Sequence, residues 1–227
     1  MKFGLTNNQL KIIAMIAMLV DHVGLYLFPD QLWMRVVGRL ALPIFAYMIA
    51  EGCFYTRHRG KYLLHIAVLA VGCQLVYYFA MGSLYQGILV TFSLSVITIY
   101  AIDYFLKKKN LLSCLLALAT IVVVGFVVLG VPSLLPNTDY AVDYKLGGVA
   151  LPVLIYFAKG KWWKLAATAV GLLLMAITLL PIQWWAFLTL PLLALYNGKR
   201  GKYNLKYMFY IFYPVHLVAL YFIGMIV

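Results

Sequence analysis

The 227-residue sequence is 66% hydrophobic and only 11% charged, with a mean hydropathy of +0.97 and a formal net charge of +12. An average soluble domain carries about 25% charged residues. The six acidic side chains here are too few to form a surface that is compatible with water. The composition therefore excludes a soluble enzyme, a nucleic-acid-binding domain and a disordered chain, and it predicts an all-α integral membrane protein.

Nine apolar segments are predicted to cross the membrane, since a spanning helix needs about 20 mostly apolar residues. In chain order they are residues 10–28, 33–52, 62–80, 87–106, 111–131, 146–158, 164–180, 182–196 and 207–226. The sixth and the eighth are short, so either could be tilted, re-entrant or broken. The connections are too brief for a separate soluble domain, so residues 1–227 are predicted to form one polytopic helix bundle.

The positive charges predict the orientation of these segments in the lipid bilayer. They fall at the N-terminus and in the even-numbered loops: Lys2, Lys11, Arg57, Arg59, Lys61, Lys107, Lys108, Lys109, Lys159, Lys161, Lys164, Lys199, Arg200, Lys202 and Lys206. The odd-numbered loops hold Lys145 together with Asp30, Asp139 and Asp143. Because cytoplasmic loops accumulate Lys and Arg, nine spans predict a cytoplasmic N-terminus and an external C-terminus.

Four ionisable residues lie at membrane depth in the first two predicted spans, where such groups are costly and usually mark function. Asp21 and His22 stand together on the first span, and Arg35 and Arg39 share one face of the second. Each has an alternative interpretation. The arginines could be interfacial anchors, Asp21 their structural partner, and His22 a satisfied core histidine.

Three further polar residues are weaker candidates for the site: Glu51, Tyr213 and His216. His216 lies in the last span at a depth similar to that of His22, and it follows Tyr213; core packing explains it equally well. Glu51 is expected near the cytoplasmic interface, where an ion pair with Arg57 is the simpler interpretation. Asp103 is expected to pair within the Lys107 cluster and is not assigned to the site.

Lys11 and His22 are eleven positions, or about three helical turns, apart, so both are predicted to lie on the same side of the first helix. Their separation along the helix axis is about 16 Å at 1.5 Å per residue. Lys11 would therefore stand at the cytoplasmic mouth of a path that leads inward to His22. No P-loop, HExxH motif, nucleophile elbow or dinucleotide-binding glycine pattern occurs.

Both ends of the sequence resemble the TraX family of membrane proteins. The similar segments are residues 10–24 (LKIIAMIAMLVDHVG), 35–47 (RVVGRLALPIFAY), 50–62 and 212–217 (FYPVHL). The resemblance implies acetylation of the kind associated with the N-terminal amine of pilin. It also implies membership of a wider group of transmembrane acyltransferases that use cytoplasmic acetyl-CoA. In that group a basic residue, ten intervening residues and a histidine form a motif, which Lys11 and His22 fit.

The leading hypothesis is a polytopic acetyltransferase with acetyl-CoA as the donor, no metal, and an amine or hydroxyl acceptor. His22 would be the general base, with Asp21 setting the local electrostatics and Arg35 and Arg39 holding the acceptor or stabilising the oxyanion. The phosphates of the donor would be contacted by four basic side chains, Lys11, Arg57, Arg59 and Lys61.

Two other classes of function fit the same residues. A small transporter or flippase would line its substrate path with these polar groups. A structural membrane subunit explains the apolar bulk, but it leaves Asp21, His22, Arg35 and Arg39 without a purpose.

For the enzyme, the short first loop makes the first two spans antiparallel neighbours. A single cavity is then expected to admit CoA from the cytoplasm and the acceptor from outside.

Overall fold

A computed structural model describes residues 4–202 and 205–224 of the chain. The described residues form helices joined by short connections, and no β-sheet occurs among them. Two isolated parallel bridges are present, one between Leu5 and Tyr196 and one between Gln86 and Val142. The predicted all-α class is therefore confirmed.

Eleven α-helices are found in the described part of the chain. They are α1 (Asn7–Tyr26), α2 (Leu32–Gly38), α3 (Ala41–Tyr55), α4 (Arg59–Met81), α5 (Ile88–Lys108), α6 (Leu111–Gly125), α7 (Val131–Leu134), α8 (Lys145–Phe157), α9 (Lys161–Thr178), α10 (Thr189–Ala194) and α11 (Lys206–Gly224). A π-helical turn, Phe126–Gly130, joins α6 to α7, and a 3₁₀ helix, Pro181–Leu188, precedes α10.

Six helical stretches are long and apolar enough to cross a membrane, which defines a multi-pass membrane protein. They are Asn7–Tyr26, Leu32–Tyr55, Arg59–Met81, Ile88–Lys108, Leu111–Leu134 and Lys161–Thr178. Three shorter apolar helices, Lys145–Phe157, Pro181–Ala194 and Ile211–Gly224, lie where the sixth, eighth and ninth spans were predicted. The number of nine crossings and the orientation of the two termini stay predictions.

The chain divides into two compact units, with one boundary within α3 and the other between α8 and α9. Unit 1 comprises residues 1–48 and 159–227, and unit 2 comprises residues 49–158. The single domain that the sequence predicts is not tested by this division. Each unit is described by itself below.

In unit 1, α1 begins against a segment from the far end of the sequence. The first-turn amides of Asn7 and Asn8 donate to the carbonyl oxygens of Lys199 and Arg200, at 2.8 and 3.1 Å. These bonds satisfy two of the amides that any helix N-terminus leaves without an intrahelical partner. They also bring the basic segment around Arg200 to the end of α1 that carries Lys11.

Two glycines let α1 and α2 approach closely as antiparallel neighbours, as predicted from their short connection. A Cβ atom added at Gly24 would lie 2.7 Å from the Cβ of Met34. One added at Gly38 would lie 2.1 Å from Oδ1 of Asp21. Since real Cβ atoms do not approach other atoms so closely, the Asp21 carboxylate occupies space that only glycine leaves open.

The predicted second span is broken between α2 and α3, at Arg39 and Leu40. The amide of Leu40 donates to the carbonyl of Val37, and that of Arg39 lies within reach of both Arg35 and Val36, so the backbone tightens to three-residue bonds. Pro43 follows in the first turn of α3, where its missing N–H is tolerated. The break directs the Arg39 side chain back along α2, and its Nε donates to the Arg35 carbonyl at 3.2 Å.

In unit 2, α5 packs against α4, α6 and α8. The Ser95 hydroxyl, fully buried on α5, lies 3.0 Å from the Val149 carbonyl of α8 and links the two helices. The connections before α5 and before α8 also pair, since the amide of Asp143 donates to the Gln86 carbonyl at 2.9 Å. The same elements that bury the apolar core of unit 2 thus fix its loops.

Candidate active site

An ion-pair network in unit 1 joins α1 to α2. Oδ1 of Asp21 accepts from Nη2 of Arg39 at 2.8 Å, and Oδ2 lies 3.0 Å from Nη1 of Arg35. The same Arg35 nitrogen donates to the Asp21 backbone carbonyl at 3.0 Å. One carboxylate thus balances two guanidinium groups, and the three side chains together keep a formal charge of +1.

The side chains of Arg35 and Arg39 differ in exposure, and this difference suits them to different roles. The Arg39 side chain is 6% exposed and already uses Nε and Nη2 in hydrogen bonds. The Arg35 side chain is 24% exposed, and its two bonds to Asp21 both come from Nη1. Arg39 is therefore suited to hold the network in place, whereas Arg35 is the better placed of the two to meet a substrate.

A histidine pair lies beside this network and joins α1 to α11. Nδ1 of His22 and Nε2 of His216 are 2.9 Å apart, although the two residues are 194 positions apart in the sequence. The other nitrogen of His216, Nδ1, lies 2.9 Å from the Phe212 carbonyl oxygen. Asp21, the carboxylate of the network, directly precedes His22 on α1. The site thus draws together α1, α2 and α11.

The carbonyl of Phe212 fixes the tautomers of both rings. A carbonyl oxygen can only accept, so Nδ1 of the neutral His216 carries the proton and Nε2 is an acceptor. Nδ1 of His22 must then donate to that acceptor, which leaves the lone pair on Nε2 of His22. A proton arriving at this nitrogen would break none of the existing hydrogen bonds.

Aromatic rings hold the two histidines in these orientations. Phe212 stacks on His216 with ring centroids 4.7 Å apart, and Tyr213 meets the same ring edge-on at 5.6 Å. Tyr26, one turn beyond His22 on α1, stacks on His22 at 6.1 Å. Tyr213 and His216 are both buried, so the two weaker candidates of α11 lie at the histidine pair.

Lys11 lies on α1 three turns before His22, as the sequence predicts. It is half-buried and near Arg200, whose backbone is held by the start of α1. Lys164, at the start of α9, reaches over the Tyr47 ring at 5.9 Å, and Tyr47 packs edge-on against Tyr196. Cations from three separate stretches of unit 1 are thus placed near the start of α1.

The other basic residues assigned to the donor lie in unit 2. Arg57 and Lys61 are exposed at the start of α4. Arg59 is bound within its own unit: Nη1 pairs with Asp103 at 2.5 Å, and Nη2 donates to the Tyr156 hydroxyl at 3.3 Å.

Asp103 also pairs with Lys107 at 2.8 Å, as predicted. Arg59 and Asp103 are 44 positions apart in the sequence, and no local sequence pattern predicts the bond between them. Glu51 is buried on α3. In the described part of the chain, no group of three His, Cys, Asp or Glu side chains is arranged to hold a metal ion.

Apolar helices of spanning length, with a buried ion-pair network and a histidine pair among them, define a polytopic membrane protein with a polar intramembrane site. Comparison with known proteins places it more closely. The sequence model described as "TraX protein" matches residues 6–224, and the chain belongs to the TraX family.

Two curated relatives show how far the similarity extends. The probable fimbrial assembly protein FimC, serogroup H1, of Dichelobacter nodosus is 29% identical over 246 residues, and the match covers 93% of each protein. Protein TraX of Escherichia coli (strain K12) is 38% identical over 84 residues, which cover 36% of this chain and 33% of that protein. No solved structure matches the chain.

Proposed function

We propose that the chain is a membrane-embedded acetyltransferase of the bacterial cytoplasmic membrane. It would move an acetyl group from cytoplasmic acetyl-CoA to an amine or hydroxyl acceptor at or beyond the outer face. The observation that carries the proposal is the hydrogen-bonded chain from the Phe212 carbonyl through His216 to His22. It gives His22 a basic nitrogen with a fixed tautomer inside a membrane protein, where an ionisable group needs a reason to be retained.

The transfer step follows from this arrangement. As the acceptor oxygen or nitrogen forms a bond to the carbonyl carbon of the thioester, Nε2 of His22 takes the acceptor's proton. The carbonyl oxygen becomes an oxyanion, which the cationic side of the network, above all Arg35, would stabilise. When the carbon–sulfur bond breaks, the proton on His22 passes to the departing CoA sulfur. The products are the acetylated acceptor and CoA, and His22 returns to its starting state.

Each remaining residue has a subsidiary role. His216 accepts from Nδ1 of His22 and spreads the positive charge that His22 gains, while Asp21 holds the two arginines. Lys11, at the start of α1, would contact the phosphates of the donor, because Lys and Arg are the usual partners of phosphate. The same role stays a prediction from the sequence for the three basic residues of unit 2, Arg57, Arg59 and Lys61. The relatives' names refer to fimbrial assembly and to TraX, which is compatible with an acceptor handled outside the cytoplasm.

The test is acetyl transfer from labelled acetyl-CoA in membranes that contain the full chain. His22→Ala is expected to lower the rate by about 10²–10⁴-fold, the usual contribution of a general base. His65→Ala is the matched control, since His65 is exposed on α4 and has no assigned role in catalysis or donor binding, so its loss should leave the rate unchanged. A His22→Ala chain that inserts normally and transfers acetyl at the wild-type rate would refute the proposal.

His216 is a positioning residue, and its variants separate that role from a structural one. His216→Ala removes the acceptor for Nδ1 of His22, so the rate should fall less than in His22→Ala and the acid limb of the pH–rate profile should shift. In His216→Gln the amide oxygen can still accept from His22, and part of the rate should return. Equal rates and profiles in Ala and Gln variants would show that His216 only packs.

A further inference from the structure

One end of unit 2 collects most of the positive charge of that unit. Helix α4 begins beside the end of α5, as the ion pair between Nη1 of Arg59 and Asp103 shows, and Asp103 also pairs with Lys107 one turn further on. Nη2 of Arg59 donates to the hydroxyl of Tyr156 near the end of α8, so a third helix end lies beside these two. We call the six cations at these helix ends the basic end of unit 2: Arg57, Arg59, Lys61, Lys107, Lys108 and Lys109.

The carboxylates near the basic end are too few to balance its charge. Asp103 is shared by Arg59 and Lys107, at 2.5 and 2.8 Å. Even when Glu51 of α3 is counted with Asp103, six cations and two carboxylates leave a formal charge of +4. Four of the cations are exposed and form no ion pair within the described residues of unit 2: Arg57, Lys61, Lys108 and Lys109. Their charge is therefore available to an anion from outside the chain.

The opposite end of unit 2 is acidic by comparison. Asp139 accepts from the Ser83 hydroxyl at 2.5 Å, and Asp143 accepts from the Tyr85 hydroxyl at 2.6 Å. Ser83 and Tyr85 follow the end of α4, so both carboxylates lie at the other end of that helix from Arg59. Charge is thus separated along the helices of the unit, and an anion would bind at the basic end.

The backbone at Lys109 points independently to a use for this charge. Helix α5 ends at Lys108, and Lys109 follows with a φ of 50°. In this left-handed region glycine is the usual residue, because a Cβ atom destabilises the conformation. Asparagine also tolerates it, but Asn110 caps α6 instead, where its Oδ1 accepts from the Ser113 amide at 2.9 Å. The turn therefore carries a third consecutive lysine at a position where the fold itself favours glycine.

Exposed apolar side chains border the basic end. Phe54 and Tyr55 at the end of α3, and Leu111 and Leu112 at the start of α6, are each at least 61% exposed. The Phe54 ring meets that of Tyr156 with centroids 6.5 Å apart, which places it beside the partner of Arg59. In a membrane protein such side chains face lipid, and tyrosine is enriched at the level of the headgroups. A ligand with both a phosphate and acyl chains would satisfy the cations and the apolar side chains together.

We propose that the basic end of unit 2 binds the phosphate headgroup of an anionic phospholipid. Clusters of about four to eight Lys and Arg residues next to a spanning helix are typical of such binding. Three of the six cations, Arg57, Arg59 and Lys61, are those that the sequence assigns to the phosphates of the donor. A soluble phosphate compound is therefore the rival ligand, and the experiment separates it from the lipid. The lipid site does not depend on the proposed function.

Binding is measured by native mass spectrometry of the full chain in detergent, titrated with phosphatidylglycerol or with phosphatidylcholine of the same acyl chains. The wild-type chain is expected to bind phosphatidylglycerol more tightly. Lys108→Gln should weaken this binding about fivefold, the contribution of one basic side chain near an anionic headgroup, and leave phosphatidylcholine binding unchanged. Lys145→Gln is the matched control, because Lys145 is an exposed lysine at the start of α8, at the opposite end of the unit. It should keep the wild-type preference.

Substitutions at Lys109 separate lipid binding from a structural role. Lys109→Gly removes the charge and relieves the left-handed backbone, so the thermal midpoint without anionic lipid should rise while phosphatidylglycerol binding falls about fivefold. Lys109→Arg keeps the charge and should keep the binding.

Four outcomes would overturn the proposal. They are equal affinity of the wild-type chain for the two lipids, equal losses in Lys108→Gln and Lys145→Gln, unchanged phosphatidylglycerol binding in Lys109→Gly, and displacement of bound phosphatidylglycerol by coenzyme A. The last would assign the basic end to the donor. None of these measurements requires acetyl transfer, so failure of the lipid site is distinguishable from failure of the proposed function.

Discussion

Both units contain one carboxylate shared by two cations, but in very different surroundings. In unit 1, Asp21 binds Arg35 and Arg39, and the three side chains are 14%, 24% and 6% exposed. In unit 2, Asp103 binds Arg59 and Lys107, which are 36% and 64% exposed. The charges are equal in number and sign, so composition alone does not distinguish a candidate active site from an ordinary surface network.

Two features separate the networks. The unit 1 network stands beside a histidine pair with a defined basic nitrogen, whereas the partners of Arg59 in unit 2 are a tyrosine hydroxyl and the face of the Tyr100 ring. Moreover, the unit 1 carboxylate fits into space that Gly38 leaves open. Burial next to a proton acceptor, rather than the ion pair itself, makes the first network the better candidate for chemistry.

The largest difference between the networks is expected from removing each carboxylate charge. Asp21→Asn leaves two mostly buried guanidinium groups uncompensated, so we expect a loss of about 3–5 kcal/mol in the free energy of unfolding and loss of acetyl transfer. Asp103→Asn, the matched change at the more exposed network, should cost about 1 kcal/mol or less and leave the rate at saturating acetyl-CoA intact. The measurements are unfolding in detergent micelles and the labelled acetyl-CoA assay; equal losses in both variants would contradict the comparison.

A smaller effect is expected from filling the space beside Asp21. In Gly38→Ala the new methyl group would overlap the carboxylate, so Asp21 must shift and weaken its bonds to both arginines. Overpacking of this kind costs about 1–3 kcal/mol, and acetyl transfer should fall with it. Gly72→Ala on α4 is the control, because nothing lies within 4 Å of the added atom. Wild-type stability and transfer in Gly38→Ala would show that the close approach has no consequence.

The sequence singled out candidate site residues, but it could not give the contacts between them. Asp21, His22, Arg35 and Arg39 stood out because ionisable groups at membrane depth are costly wherever the helices lie. The pairing of His22 with His216 depends on how α1 meets α11, and hydropathy holds no information about that contact. The same holds for Arg59, whose charge marked it for the donor although it is bound to Asp103.

The predicted spans agree with the structure better than the backbone conformation within them could be predicted. Residues 33–52 were predicted as one span and lie within the helical stretch Leu32–Tyr55, although α2 ends and α3 begins around Arg39 and Leu40 inside it. Residues 182–196, predicted as a short span that could be tilted, re-entrant or broken, contain most of the 3₁₀ helix and all of α10. Mean hydropathy is insensitive to both changes, because apolar residues are equally apolar in α- and 3₁₀-helical backbone.

The smallest effect is expected at a third carboxylate, which has neutral hydrogen-bond donors in place of cations. Asp139 of unit 2 accepts from the Ser83 hydroxyl at 2.5 Å and from the Leu84 amide at 2.9 Å. The hydrogen bond from Ser83, followed by that from Leu84, lowers the pKa of Asp139 below its ordinary value. A carboxylate with a lowered pKa stabilises its contacts fully above the unfolded-state pKa, and this contribution is lost as the pH falls through the folded-state value.

Amide exchange at Leu84 measures this effect locally. Protection of the Leu84 amide in the wild-type chain should be constant from about pH 7 to about pH 5 and should decline only below about pH 4. Asp139→Asn cannot ionise, so its protection should be lower at neutral pH and show no such decline, with intrinsic exchange rates taken into account at each pH. Acetyl transfer should be unchanged, because neither Asp139 nor its partners Ser83 and Leu84 have an assigned role in catalysis or donor binding. A loss of transfer as large as that of Asp21→Asn would mean that carboxylates are critical throughout the chain, and the contrast between the two networks would then carry no functional meaning.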